Sequence, residues 1–200
     1  PKDYRLEQIP VPKRGPGEVL LKVEAVGICA SDLKCWHGAA KFWGDENRPA
    51  WAETMAVPGH EITGRVIDLD DEARKHWNIE LDDRVVVEQI VPCWDCRYCN
   101  EGNYHMCMPH NMYGFKRANP GGMEEYMVLS VESLVHKISK DIPPAHAAFA
   151  EPLSCALHAV ERANIGWSDV VVVAGCGPIG LSMIAGAVAK SPAMLIALDM

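Results

Sequence analysis

Four cysteines crowded into one short segment limit what this chain can fold into more than any other feature. Cys93, Cys96, Cys99 and Cys107 follow the spacing Cys-x2-Cys-x2-Cys-x7-Cys, and Gly102 and Asn103 supply turns between the last two. Four soft thiolates at that spacing suit a closed, tetrahedral structural zinc better than disulfides or an iron–sulfur cluster. With every position filled, such a site stabilises a lobe and takes no substrate. His105 and His110 are therefore read as surface residues. The chain has 8 cysteines, but their placement argues for a metal knot in a reducing compartment, and so for the cytoplasm.

A second metal centre is read from three distant places. Gly59-His60-Glu61, with Cys29 upstream and Glu151 downstream, supplies an imidazole, carboxylates and a thiolate. Together they point to a catalytic zinc with an open position. A lone cysteine in a loop is usually a small buried hydrophobe, and it is the company of Ser31 and Asp32 that favours a ligand. Asp32 can hold a ligating histidine in one tautomer through its second ring nitrogen. The plainer reading is a polar turn in which both side chains cap backbone amides.

Around these groups the pattern is mostly strand. Val19–Val26 alternates, 62–67 follows the His60 turn, 84–91 is β-branched, and the stretch from Tyr126 to Ile138 reads as a strand pair. Residues 36–57 hold Trp36, Phe42, Trp43 and Trp51 and read as a structured loop, whose aromatics would wall a pocket, pack internally or meet another subunit. Asp68, Asp70, Asp71 and Glu72 read as a solvated loop. Pro143-Pro144 opens a helix that Glu151-Pro152-Leu153 interrupts, with a second helix from Ser154. Cys155, His158 and His146 are read as packing residues.

The last segment changes character. Val170–Ala174 is an apolar run of the kind buried on both sheet faces, and it leads into Gly175-Cys176-Gly177-Pro178-Ile179-Gly180 and an apolar helix. A second such run, Met194–Leu198, ends at Asp199, nineteen residues beyond Gly180. That context makes the glycines a dinucleotide site, with Asp199 accepting from ribose hydroxyls. Two strands and one helix cannot cover both faces of a parallel sheet, so the chain is read as a piece of a longer protein.

Composition excludes other classes. A net charge of -8 offers no basic field for nucleic acid, and no run approaches the length of a membrane span. The opening residues contain no signal-peptide core.

In order and spacing these motifs resemble the zinc-dependent medium-chain dehydrogenases. The resemblance runs from Gly27-Ile28-Cys29-Ala30-Ser31-Asp32 through Gly59–Val66, the cysteine lobe and Glu151-Pro152-Leu153 to the glycine turn. Glu151-Pro152-Leu153-Ser154 is similar to the polyol branch typified by sorbitol dehydrogenase, and the aromatic stretch before Gly59 is similar to the erythritol and threitol dehydrogenases. The resemblance implies an α/β chain with a β-rich part: a GroES-like catalytic domain over 1–153, then the first part of a Rossmann cofactor domain over 154–200. It further implies two zincs per chain, NAD, and assembly into tetramers or dimers. Cys29 and His60 would ligate the catalytic zinc, Glu151 would do so directly or through water, and Glu61 would be able to approach it. Ser31 would relay the substrate proton and Asp32 orient His60; His37 stands out of place for continuing the relay. The implied reaction is hydride transfer from a secondary alcohol of a polyol to NAD, giving a ketose or ketone. A threonine or butanediol dehydrogenase, or a non-catalytic nucleotide-binding member, would keep the same motifs.

Overall fold

Alternation beginning at Val19 places Val19 and Leu21 on one face of a strand, and both are fully buried. In the computed structural model, which describes residues 1–200, this is β1 (Val19–Gly27), followed by α1 (Ala30–Trp36), α2 (Ala40–Trp43), β2 (Glu61–Leu69), α3 (Asp71–Trp77) and β3 (Arg84–Val87). Next come β4 (Ile90–Val91), α4 (Arg97–Asn100), β5 (Asn111–Met112), β6 (Tyr126–Leu129), β7 (Val135–Ile138) and α5 (Pro144–Ala148). The chain ends with α6 (Ala150–Arg162), β8 (Val170–Ala174), α7 (Pro178–Ala189) and β9 (Met194–Leu198). Two compact units result, Pro1–Ala148 and Phe149–Met200. No helix is long and apolar enough to cross a membrane.

The first unit is built on a five-stranded sheet of order β6-β1-β2-β3-β7. Every neighbouring pair is antiparallel. Its inward face carries Leu21, Ile62, Val66, Val85, Met127 and Leu129, each at most 1% exposed. Burial of one such side chain contributes roughly 2 kcal/mol, more than an exposed ion pair, so this layer rather than the surface charges sets the fold. The strands read from Tyr126 to Ile138 are both present, but they do not pair with each other: β6 and β7 occupy opposite ends of the strand order. Arg84–Val91 is two strands rather than one. After Val87 the chain turns at Glu88 and Gln89, and Ile90-Val91 pairs with Asn111-Met112 to form the neck of the cysteine lobe.

Two short helices stand where turns and loops were expected. Asp70 caps α3, its carboxylate accepting from Ala73 N–H at 2.9 Å and Gly17 N–H at 2.8 Å, so Asp70, Asp71 and Glu72 are a helix start, while Asp68 belongs to β2. Cys29 is the N-cap of α1, and the Asp32 carboxylate returns to accept the Cys29 N–H at 2.8 Å.

In the second unit the interruption falls at Phe149 rather than at Glu151-Pro152-Leu153. Pro152 sits in the first turn of α6, where its missing N–H leaves no intrahelical bond unmade. Cys155 and His158 are exposed, as is His146 in the first unit, so none of the three is a packing residue. Strands β8 and β9 are parallel, from Val170↔Met194 to Ala174↔Leu198, with α7 between them in sequence. Val170, Val172, Met194 and Leu198 are exposed, because within this unit a single helix covers one face of two strands.

Candidate metal and cofactor sites

The register of β1 against β2 assembles the first site. Gly27 at the end of β1 faces Glu61 at the start of β2, so the residues just beyond, Cys29 and His60, arrive side by side. Donor atoms of Cys29, His60 and Glu61 all lie within 4.8 Å of one another. Gly27 has to be glycine here, since a Cβ on it would stand 1.8 Å from the Glu61 carboxylate oxygen Oε2.

His60 is held from behind. Its Nδ1 lies 3.2 Å from Asp32 Oδ1, and both residues are buried. An ionised carboxylate only accepts, so Nδ1 carries the proton and Nε2 keeps its lone pair for a ligand. Ser31 Oγ stands 3.4 Å from that Nε2. The turn carrying His60 is clamped by a second one: Gly121 N–H donates to Val57 O at 2.8 Å, Gly122 N–H to Gly59 O at 2.9 Å, and Met123 N–H to Pro58 O at 2.9 Å. A Cβ on Gly121 would lie 2.2 Å from Gly59 O, which is why the two turns can touch. The sequence marks Gly121-Gly122 as a turn, but nothing local reveals its partner more than sixty positions away.

The charges suit a cation. The neighbouring His60, opposed by burial and helped by Ser31, lowers the Cys29 thiol below its ordinary range. Burial raises the Glu61 carboxyl, with Asp32 adding to the rise and His60 opposing it. A sulfur, a nitrogen with a free lone pair and a carboxylate that gains by neutralisation form a donor set fitted to zinc.

The second set is the cysteine lobe. Donor atoms of Cys93, Cys96, Cys99 and Cys107 fall within 4.8 Å of one another. Cys93 and Cys99 sulfurs are 4.0 Å apart and those of Cys96 and Cys99 3.6 Å. Thiolates around a tetrahedral zinc at about 2.3 Å are separated by about 3.8 Å, so the spacing fits the ion. All eight cysteines are free thiols. Cys107 Sγ accepts from Cys93 N–H and Cys93 Sγ from Cys96 N–H, both at 3.3 Å. The N–H groups of Met108 and Cys99 draw the Cys96 thiol down, while burial pushes Cys99 up. His105 and His110 are both exposed.

At the glycine turn the three glycines do different work. Gly175 has a left-handed φ of +97°, a Cβ on Gly177 would meet nothing within 4 Å, and one on Gly180 would stand 1.7 Å from Gly175 O. These are the needs of a tight turn, an open approach for a pyrophosphate and close helix–strand packing. Pro178 and Ile179 open α7, so the free N–H groups of its first turn face the turn. Asp199, at the end of β9, accepts the Cys176 N–H at 2.6 Å and so ties the turn to the strand end. Glu151 lies in the first turn of α6, in the second unit.

No motif in the sequence singles out Glu124. One of its carboxylate oxygens, Oε1, is buried without a hydrogen-bond partner, and the side chain lines a cavity of about 330 Å³. Burial raises its carboxyl to about 7. A carboxyl that binds its proton more tightly folded than unfolded contributes stability at low pH and loses it as pH rises through 7. Glu124→Gln is expected to match the parent near pH 4 and to exceed it at pH 8 by on the order of 1 kcal/mol, solvent screening part of the effect. Urea unfolding of full-length protein at both pH values checks this, and equal midpoints at pH 8 would refute it.

Comparison with known proteins follows the same lines. The profile of the alcohol dehydrogenase GroES-like domain matches residues 15–140. An erythritol/L-threitol dehydrogenase of Mycolicibacterium smegmatis is 72% identical over 200 residues, covering 100% of this chain and 55% of that protein. A sorbitol dehydrogenase of Bombyx mori is 32% identical over 197 residues, 98% of this chain and 53% of that protein. Among solved structures, 2R,3R-butanediol dehydrogenase from Bacillus subtilis superimposes with a TM-score of 0.81 at 32% identity, over 100% of this chain and 55% of its own. The chain thus spans about half the length of the relatives it matches.

Proposed function

We propose, for a chain that belongs to the alcohol dehydrogenase GroES-like domain family, that the full protein is a zinc-dependent, NAD-linked polyol dehydrogenase. The observation that carries this is the convergence of Cys29, His60 and Glu61, with Asp32 behind the imidazole. Identity of 72% to an erythritol/L-threitol dehydrogenase favours a four-carbon polyol as substrate.

Cys29 and His60 would hold the catalytic zinc, with Glu61 within reach and Glu151 completing the set directly or through water. Cys93, Cys96, Cys99 and Cys107 would hold the structural one. When bound, zinc supplies Lewis acidity toward a secondary hydroxyl and the nicotinamide ring supplies a hydride acceptor. Ser31, beside His60 Nε2, would relay the hydroxyl proton, accepting it as its own hydroxyl proton passes on toward solvent. Asp32 keeps His60 in the tautomer that can ligate. Gly175, Gly177 and Gly180, with Pro178 and Ile179 at the helix start, would admit the pyrophosphate. Asp199 would accept from the ribose hydroxyls, and its charge would oppose a 2′-phosphate, favouring NAD over NADP. In functional terms residues 1–153 are the catalytic domain and 154–200 the start of a Rossmann cofactor domain. A reducing, cytoplasmic setting and a homo-oligomer, tetramer or dimer, complete the reading.

The test is NAD reduction by full-length protein on four- to six-carbon polyols, 2,3-butanediol and L-threonine. Highest kcat/KM on erythritol or threitol is expected. Highest kcat/KM on threonine or butanediol would replace the substrate assignment, and no turnover of any of them would favour a non-catalytic member.

A further inference from the structure

We propose that Phe115 is a positioning residue for His60, and that the aromatic stretch before Gly59 acts on the metal site through it. The inference rests on His60 being a metal ligand, as read above. Phe115 is 3% exposed, and its ring centroid lies 5.3 Å from that of His60 with the planes tilted by 38°. On its other sides Phe42 stacks at 5.3 Å and 16°, and Trp51 packs at 5.1 Å and 40°. Phe42 and Trp51 of the 36–57 stretch thus form a layered cluster with Phe115, and Phe115 is its member against the imidazole.

The backbone fastens this cluster in place. Glu53 N–H donates to Phe115 O at 3.0 Å. Trp51 Nε1 donates to His110 O at 3.2 Å, and Arg117 N–H to the Glu53 carboxylate at 2.9 Å. The Lys116 ammonium donates to Trp51 O and lies 5.4 Å from the Trp51 ring centroid. Residues 51–53 and 110–117 are therefore stitched on both sides of Phe115.

The imidazole needs that support. The bond from Nδ1 to Asp32 fixes the direction of one ring edge but does not by itself set the tilt about that axis. Nε2, on the far edge, swings with the tilt. A buried aromatic face against the ring removes the freedom, and so fixes the lone pair that the metal meets.

Cobalt(II) loaded into full-length protein tests this, because its ligand-field bands report donor geometry and its release to a chelator reports affinity. His60→Ala first identifies the bands of the Cys29–His60 site. Phe115→Leu is expected to shift those bands and to speed release from that site by about tenfold, while Phe115→Tyr stays near the parent. Trp51→Leu, one layer further out, should shift the bands in the same direction by less, and carries the test if Phe115→Leu does not fold. Unchanged bands and release in Phe115→Leu, with only a lowered melting temperature, would reduce Phe115 to packing. Parent bands insensitive to His60→Ala would instead remove the ligand reading, and this inference with it.

Discussion

Cys29→Ser in the full-length protein is expected to lower bound zinc from two equivalents to one and to cut NAD reduction by about a thousandfold or more, ~4 kcal/mol of barrier. A serine hydroxyl keeps the size of the thiol but not its readiness to ionise at neutral pH. In this site the thiol is already drawn toward the thiolate by His60 and Ser31, so the loss is of the one soft, anionic donor in the set. His60 and Glu61 remain, yet an imidazole and a carboxylate whose burial resists ionisation hold the ion poorly. Elemental analysis and the polyol assay on the same preparation check the result. One zinc in both parent and variant would leave only the cysteine lobe metallated, and the catalytic reading of Cys29, His60 and Glu61 would have to be withdrawn.

The second large effect concerns the lobe. Cys107 is 2% exposed and its sulfur receives the Cys93 N–H, so it closes the knot at its buried end. Cys107→Ser is expected to remove the structural zinc and destabilise the protein by a few kcal/mol, on the order of 10 °C in melting temperature. Hydrogen exchange should show the loss concentrated in residues 92–110, because the only ladder at the neck of the lobe is the two-residue pairing of β4 with β5. Retention of two zincs in this variant would mean that another donor completes the shell, with His105 and His110 the nearest in sequence.

Both donor sets were legible because their chemistry is local or strongly typed. Cysteine spacing alone announces the lobe, and the glycine turn is announced by the apolar runs around it. Position in the fold was harder. Ser31 and Asp32 were legible as neighbours of a ligand but not as part of a helix, because that helix spans only Ala30–Trp36 and has a cysteine as its cap, a residue without a strong capping signal. Asp70 carried the ordinary cap signature, yet it stood among acids that read as solvated charge. What no local pattern could show were the tertiary meetings: Phe115 against His60, Gly121 against Gly59, and the buried oxygen of Glu124. Each joins residues dozens of positions apart, and each depends on strand order, which alternation does not specify.

That strand order also settles the shape of the sheet. Leu129 pairs with Val19 at one end of β1, whereas Val135 is reached through Val87 and Ile62, which stands opposite Val26 at the other end. Were the sheet flat, Leu129 and Val135 would be separated by four strand spacings across and seven residues along, roughly 30 Å. The chain between them can extend only about 20 Å, and it is shortened further by the turn in which Ser133 N–H returns to Ser130 O at 3.0 Å. The sheet must therefore roll until its first and last strands approach, toward a barrel with inclined staves. Rolled in this way, β6 and β7 do not lie at opposite margins of an open sheet, and their outer edges are brought toward each other instead of toward other molecules.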